Sequence, residues 1–177
     1  RAKTEKDTEI IEELRSRPME GFMAKMGRLK VNSQVVGYEK VRVGDQVIIS
    51  QHPLEAPIEH FETIGFWLEL DAHFKRELRR NSFHYMGSMH AIEHAMKALF
   101  PLLALCNRTD VGGICYPLHP QLRKGAIFIY DYHPGGIGLA EKGYAVLDRL
   151  LDMTRDLVEG CDCEAGCPSC IHFPTCG

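Results

Sequence analysis

Up to Leu70 the chain alternates between apolar and polar residues with a period of two. In "GRLKVNSQVVGYEKVRV", "DQVIIS" and "HFETIGFWLEL", Val, Ile, Tyr and Phe are set against polar neighbours, as in strands with one buried and one wet face. Turn signals at Asn32-Ser33 and Gly44-Asp45 divide the run, so an antiparallel meander is expected from Phe22 to Leu70. "TEIIEELR" alternates only loosely and reads as strand, because Pro18 and Gly21 soon interrupt it. "QHPLEAPIEH" carries two prolines and reads as a surface loop. Phe66 and Trp67, near the end of the last strand, read as core packing rather than as base-stacking platforms.

At Asp71 the period changes. In "DAHFKRELRRNSFHYMGSMHAIEHAMKALFPLLALC", Met89, Ile92, Met96, Leu99 and Leu103 fall on one helix face behind a basic first turn. The apolar stretch Ala95 to Cys106 is short of the roughly 18 residues of a membrane span and contains Lys97 and Pro101, so it reads as a buried helix. Gly112-Gly113 breaks the pattern. "GAIFIYDYH" is a short apolar strand, "PGGIG" a turn, and "LAEKGYAVLDRLLDMTRDLVEG" an amphipathic helix closed by Gly160. The expected fold class is α+β. An antiparallel β region over residues 1–72 precedes a small α/β domain over 73–177, with a long helix, a short strand, a Gly-rich turn, a second helix and a Cys-rich tail at 161–176.

Composition narrows the function classes. With 45% hydrophobic and 25% charged residues the chain resembles an ordinary globular protein. Its net charge is −3, with 14 Lys/Arg against 14 Asp/Glu in residues 1–80 and 7 against 10 in the rest. That excludes a strongly basic nucleic-acid binder, so any DNA contact must come from local patches. The turn "HFKRELRR" is one such patch: Lys75, Arg76, Arg79 and Arg80 either neutralise phosphates or form a solvated helix start. The chain opens on Arg1 and a charged dozen rather than a signal sequence, which suggests a piece cut from a longer protein.

Five of the seven cysteines crowd the tail "CDCEAGCPSCIHFPTC". An odd count without a signal peptide argues for metal in a reducing cytoplasm rather than disulfides. Cys-x-x-Cys presents two sulfurs to one ion, and two four-ligand sets fit: Cys161, Cys163, Cys167 and Cys170, or Cys163, Cys167, Cys170 and Cys176. Four thiolates fill a zinc ion, so the site would be structural and unable to activate water. An iron–sulfur cluster is the rival occupant.

Two further constellations carry chemistry. "YDYHPGGIGLAEKGY" places Gly135 and Gly136 between strand and helix, where backbone N–H groups suit a phosphate or where a tight turn needs positive φ. It is neither a Walker A loop nor a dinucleotide fingerprint. His90 and His94 stand one helical turn apart, and with His133 they could hold a metal, making a metal-dependent hydrolase the alternative function. Their bland reading is packed histidines bonded to backbone or to Asp131. A purely structural or protein-docking domain is the third possibility.

Taken in order, "HAIEHAMKALFPLLALCNRTDVGG", "IFIYDYHPGGIGLAEKGY" and "CDCEAGCPSCI" resemble the C-terminal zinc-binding domain of MrfA-type helicases, superfamily-2 DEAD/DEAH-box proteins implicated in DNA repair. The match runs from about His84 to Cys176, and the β-rich stretch before it is similar to the region preceding that domain. The resemblance implies an ATP-dependent 3′-to-5′ DNA helicase as the parent, in the cytoplasm and associated with the nucleoid. It implies structural Zn²⁺ on Cys161, Cys163, Cys167 and Cys170, with Cys176 as the alternative ligand. It also implies the motor lobes of the same chain and single-stranded DNA as partners, and no membrane. ATP and Mg²⁺ would belong to the parent's lobes, since no Walker A sequence and no Asp-Glu-x-His box occur here.

Overall fold

The computed structural model of the protein describes residues 1–45 and 47–172. The described residues form strands β1 (Ala2–Met19), β2 (Phe22–Val41), β3 (Ile48–Pro53), β4 (Glu59–Leu70), β5 (Val111–Tyr116) and β6 (Gly125–Asp131). The helices are α1 (Ala72–Arg80), α2 (Tyr85–Leu103), α3 (Leu139–Ala145) and α4 (Leu147–Glu159). The strands make one antiparallel sheet in the order β1-β2-β4-β6-β5, with β3 paired to the C-terminal end of β2. The fold class is α+β, as expected. The expected border after residue 72 falls at the start of α1, just past β4, and the sheet continues across it, because Gly65–Leu70 pairs with Tyr130–Gly125.

Strand alternation sorts the core into two layers. Phe66, Leu68 and Leu70 join Ile127 and Ile129 against Met89, Met96 and Phe100 of α2, Tyr144 of α3, and Leu147 and Leu150 of α4. Trp67, Ala126, Phe128 and Tyr130 face the other way, onto Leu29 and Val31. Consecutive residues such as Phe66 and Trp67 point to opposite faces, so both can be fully buried only where both faces are covered.

Helices cover the first face, and β1 helps to cover the second. Register shifts at Lys3/Thr4, Ile10/Glu12 and Glu13/Arg15 add twist to β1 and bend it across the sheet. Its middle meets the segment that follows β5. Thr8 donates its N–H (2.6 Å) and its hydroxyl (3.2 Å) to Tyr116 Oη. His119 Nε2 lies 3.0 Å from the Thr8 carbonyl, and the Gln121 amide accepts from Ile10 N–H (2.7 Å) and donates to Ile10 O (3.0 Å). The edge of β1 is thus stitched by side chains where no strand pairs with it, which satisfies polar groups that would otherwise template another chain.

Several sequence expectations are corrected. Asn32-Ser33 is not a turn, because β2 is flanked on both sides there: Asn32 pairs with Asp7 and with His60, and donates to Asp7 Oδ1 at 2.6 Å. Gly112-Gly113 does not end a pattern but lies within β5. A Cβ on Gly112 would strike the Tyr130 ring, and one on Gly113 the Glu93 carboxylate. The single helix expected from Leu139 to Gly160 is two, because Val146 leaves helical dihedrals at φ −111° and ψ 23°. Hydrogen bonding still passes through that joint, from Val146 N–H to Lys142 O and from Leu150 N–H to Val146 O. The buried helix ends sooner than Cys106, with Leu102 and Leu105 exposed. No helix among the described residues is long and apolar enough to cross a membrane.

Tyr116→Phe removes the acceptor for both Thr8 groups, so it is expected to lower stability by about 1–2 kcal/mol. Urea unfolding measures the loss, and amide exchange at Thr8 should accelerate in parallel. An unchanged midpoint would show that the stitch contributes nothing.

Candidate metal centre

After α4 closes at Gly160 the chain has too few apolar residues to pack alone, and four sulfurs converge instead. Cys161 Sγ lies 3.4 Å from Cys163 Sγ and 3.6 Å from Cys167 Sγ, and Cys170 Sγ lies 3.5 Å from Cys163 Sγ and 3.6 Å from Cys167 Sγ. A tetrahedron with Zn–S of about 2.3 Å has S···S edges of about 3.8 Å, whereas a disulfide needs about 2.05 Å. These cysteines are unpaired thiols with the spacing of a zinc cage. The four-cysteine cluster fits structural zinc.

The local backbone makes the cage. Gly166 takes φ +88°, a region that favours glycine, and the amides of Cys170, Ile171 and His172 all donate to Cys167 O within 3.0–3.2 Å. The resulting knuckle turns Cys167 N–H toward Cys170 Sγ at 3.3 Å. Crowding sets the sulfurs against one another: Cys161, then Cys170, pushes the Cys163 thiol up to about 12. The Ser169 backbone, helped by Cys161, holds Cys167 down to about 7. Four thiolates this close need a cation among them. Cys176 lies outside the described residues.

The tail is anchored on α2. His94 donates its Nδ1–H to the carbonyl of Ile171, the residue after Cys170, at 2.7 Å. Burial lowers the His94 pKa, against the opposing pull of that carbonyl. His90 lies beside it, with ring centroids 4.1 Å apart and the rings tilted by 50°, and Glu93 lies 3.1 Å from His90 Nδ1 and 3.5 Å from Lys97 Nζ. Burial pushes the Glu93 carboxyl up, but the His90 hydrogen bond and the charges of Lys97, His94 and His90 outweigh it and leave a net lowering. His133 does not join this pair. It lies 3.2 Å from Asp110, so the three-histidine metal site that the alternative reading needed is not assembled.

Asp131 has a different task. Its carboxylate accepts from the backbone N–H groups of Ile137 (2.6 Å), Leu139 (3.2 Å) and Ala140 (2.6 Å), at the N-terminus of α3. Gly135 and Gly136, both at positive φ, donate their N–H groups to Glu62 O and His133 O. The anion seat that "PGGIG" suggests exists, and the chain's own carboxylate fills it. The amides of Gly135 and Gly136 are therefore committed inside the protein rather than offered to a phosphate.

The basic patch lies apart, on α1. Arg76, Arg79 and Arg80 are exposed, Arg80 pairs with Glu77 at 2.7 Å, and half-buried Lys75 sits 5.1 Å from the Tyr85 ring centre. Sequence reading did not single out Cys115, whose Sγ lies 3.5 Å from His90 Nδ1. Only pairing with β6 brings it under α2, and no local spacing signals that. It also missed Glu69, buried against Trp67 Nε1 (3.2 Å) and Lys25 (3.1 Å).

Comparison with known proteins adds the family context. Residues 92–171 match the family model described as the MrfA Zn-binding domain. The chain is 37% identical over 92 residues to "Uncharacterized protein MJ1572.1" of Methanocaldococcus jannaschii, covering 50% of this chain and 82% of that protein. It is 27% identical over 145 residues to "Uncharacterized ATP-dependent helicase YprA" of Bacillus subtilis, covering 82% of this chain and 19% of that protein. To "ATP-dependent helicase hrq1" of Schizosaccharomyces pombe it is 29% identical over 161 residues, or 82% and 15% of the two chains. It thus spans a fifth or less of these helicases. A crystal structure of the DUF1998 helicase MrfA bound to DNA shares the fold, with a TM-score of 0.71 at 23% identity over 99% of this chain and 23% of that one.

Asp131→Ala strips three backbone amides, one of them buried, of their acceptor, so it is expected to cost about 2–3 kcal/mol in urea or thermal unfolding. Asp131→Asn, which keeps one carbonyl acceptor, should cost less. Equal, small effects would show that the turn holds itself.

Proposed function

The chain belongs to the family of the MrfA zinc-binding domain, and on that premise we propose that it is the non-catalytic C-terminal module of an ATP-dependent 3′-to-5′ DNA helicase acting in DNA repair. In this reading Cys161, Cys163, Cys167 and Cys170 hold one Zn²⁺, the sheet and helices buttress the motor lobes, and local contacts guide single-stranded DNA. The convergence of four sulfurs inside the family match carries the reading. The two named helicase relatives support it, since each is several times longer than the stretch it shares with this chain. ATP and Mg²⁺ are assigned to lobes outside these residues, because the chain has no Walker A sequence.

Zinc held by four thiolates supplies folding free energy, about 10–16 kcal/mol in small peptides, and offers no open position for a substrate. The residues do the rest. Ile171 hangs the knuckle on His94 of α2, and α2 packs on the sheet, so that carbonyl couples the metal's stabilisation to the core. The DNA contact is assigned to Arg76, Arg79 and Arg80, with Lys75 beside them. The three arginines are exposed on one short helix of a chain whose overall charge would otherwise repel a polyanion.

Cys167→Ser is expected to lose the zinc and lower the melting temperature of the α/β part, read by elemental analysis and calorimetry. Retention of both would overturn the ligand set. Replacing Arg76, Arg79 and Arg80 together with Ala should flatten the salt dependence of oligonucleotide binding. Each lost phosphate contact removes about 0.7 from the log–log slope on single strands. If the unaltered chain shows no salt-dependent binding, and a parent helicase with the same triple substitution unwinds normally, the DNA-guiding role fails while the zinc role stands.

A further inference from the structure

We infer that His90, Glu93 and His94 form a second metal site, separate from the four-cysteine cluster, with Cys115 Sγ beside His90 as the donor that would complete a set fitting zinc. Two imidazoles, a carboxylate and a thiol are the borderline-soft ligands that zinc takes in tetrahedral sites. One ligand atom from each of His90, Glu93 and His94 lies within 4.8 Å of the others. Cys115 Sγ approaches His90 Nδ1 at 3.5 Å and Glu93 Oε2 approaches the same nitrogen at 3.1 Å. Around one zinc, with Zn–N and Zn–O of about 2.0–2.1 Å and Zn–S of about 2.3 Å, neighbouring N and O ligands stand about 3.3 Å apart and N and S about 3.6 Å.

The arrangement is convergent rather than a relay. In a nucleophile–base–acid relay the carboxylate and the thiol engage opposite nitrogens of the imidazole. Here both meet Nδ1, as ligands meeting around one ion do. Lys97 does not take the place of that ion: its Nζ lies 3.5 Å from Glu93 Oε1, while Oε2 faces His90. His94 is oriented as metal-bound imidazoles usually are: its Nδ1–H goes to a backbone carbonyl, that of Ile171, which assigns ligation to Nε2. Gly113 clears the space, since any Cβ there would strike the Glu93 carboxylate. His90, with its side chain 41% exposed, opens the site to solvent while Glu93 and His94 are buried.

The test is metal stoichiometry on the whole chain carrying one equivalent of zinc in its cysteine cluster. Titration with Zn²⁺, followed by elemental analysis after removal of loose ions, should give a second bound equivalent and a further rise in melting temperature. His90→Ala, at a half-exposed position that the core does not need, should return the count to one and abolish that rise. Cys115→Ser should weaken the second equivalent and remove its share of the sulfur-to-metal absorption when Co²⁺ replaces Zn²⁺. Cys167→Ser should remove the first ion, so failure of that ligand set is read separately. A count of one at saturating zinc in the unaltered chain, or a second equivalent that survives both His90→Ala and Cys115→Ser, overturns the inference.

Discussion

The ladder between β4 and β6 lets the rest of the structure assemble. Gly65–Leu70 and Tyr130–Gly125 lie side by side although more than fifty residues separate them. Closing so long a loop costs only slightly more than closing a short one, because the entropy grows with the logarithm of length. What the ladder gains is large by comparison, since Phe66, Trp67, Ile127, Phe128 and Ile129 are each at least 99% buried across its two faces. At about 2–3 kcal/mol for each large apolar side chain removed from water, this short stretch outweighs any surface ion pair in the molecule. The fit is close: a Cβ on Gly65 would crowd Leu29 and the side chain of Tyr130.

The chemistry of the α/β part follows from where that ladder ends. The segment between its strands contains α1, α2 and β5, so pairing β4 with β6 lays α2 across one face and carries Cys115 to His90. Asp131 closes β6, which points its carboxylate at the amides opening α3. The tail then returns to α2, where Ile171 meets His94. Two neighbouring histidines of one helix thus serve a knuckle and a buried carboxylate, and the third, His133, is tied to Asp110.

Much of this was legible in the chain, and what was not has physical causes. The helical spacing from Met89 to Leu103 was readable because burial on one side dictates it locally, and "HFETIGFWLEL" was readable from its β-forming apolar run, which is covered on both faces over Gly65–Leu70. The cysteine spacing was readable because a metal imposes its geometry on a few adjacent residues. Asn32-Ser33 misled because turn propensity is weak beside a strand paired on both sides. Gly112-Gly113 misled because the side chains that exclude a Cβ there, Tyr130 and Glu93, come from distant sequence. The stitch of Tyr116, His119 and Gln121 onto β1 left no local trace, since its partners stand more than a hundred residues away.

The Gly-rich turn shows how the same physics can serve structure or binding. A helix start with open amides and positive-φ glycines attracts an anion, and nothing in "DYHPGGIG" says whose anion it will be. Here the strand that leads into the turn ends on Asp131, so the charge is supplied from within and the helix is fixed to the sheet. In the proposed DNA-guiding role, a chain that spends its best anion site on itself meets the polyanion elsewhere. Among the described residues, α1 presents three arginines close together on a solvent-facing helix. One residue separates that helix from β4, whose last residue pairs with the first residue of β6. The basic patch therefore stands on the rigid end of the central ladder, and a contact made there would be transmitted to the sheet rather than absorbed by a loop.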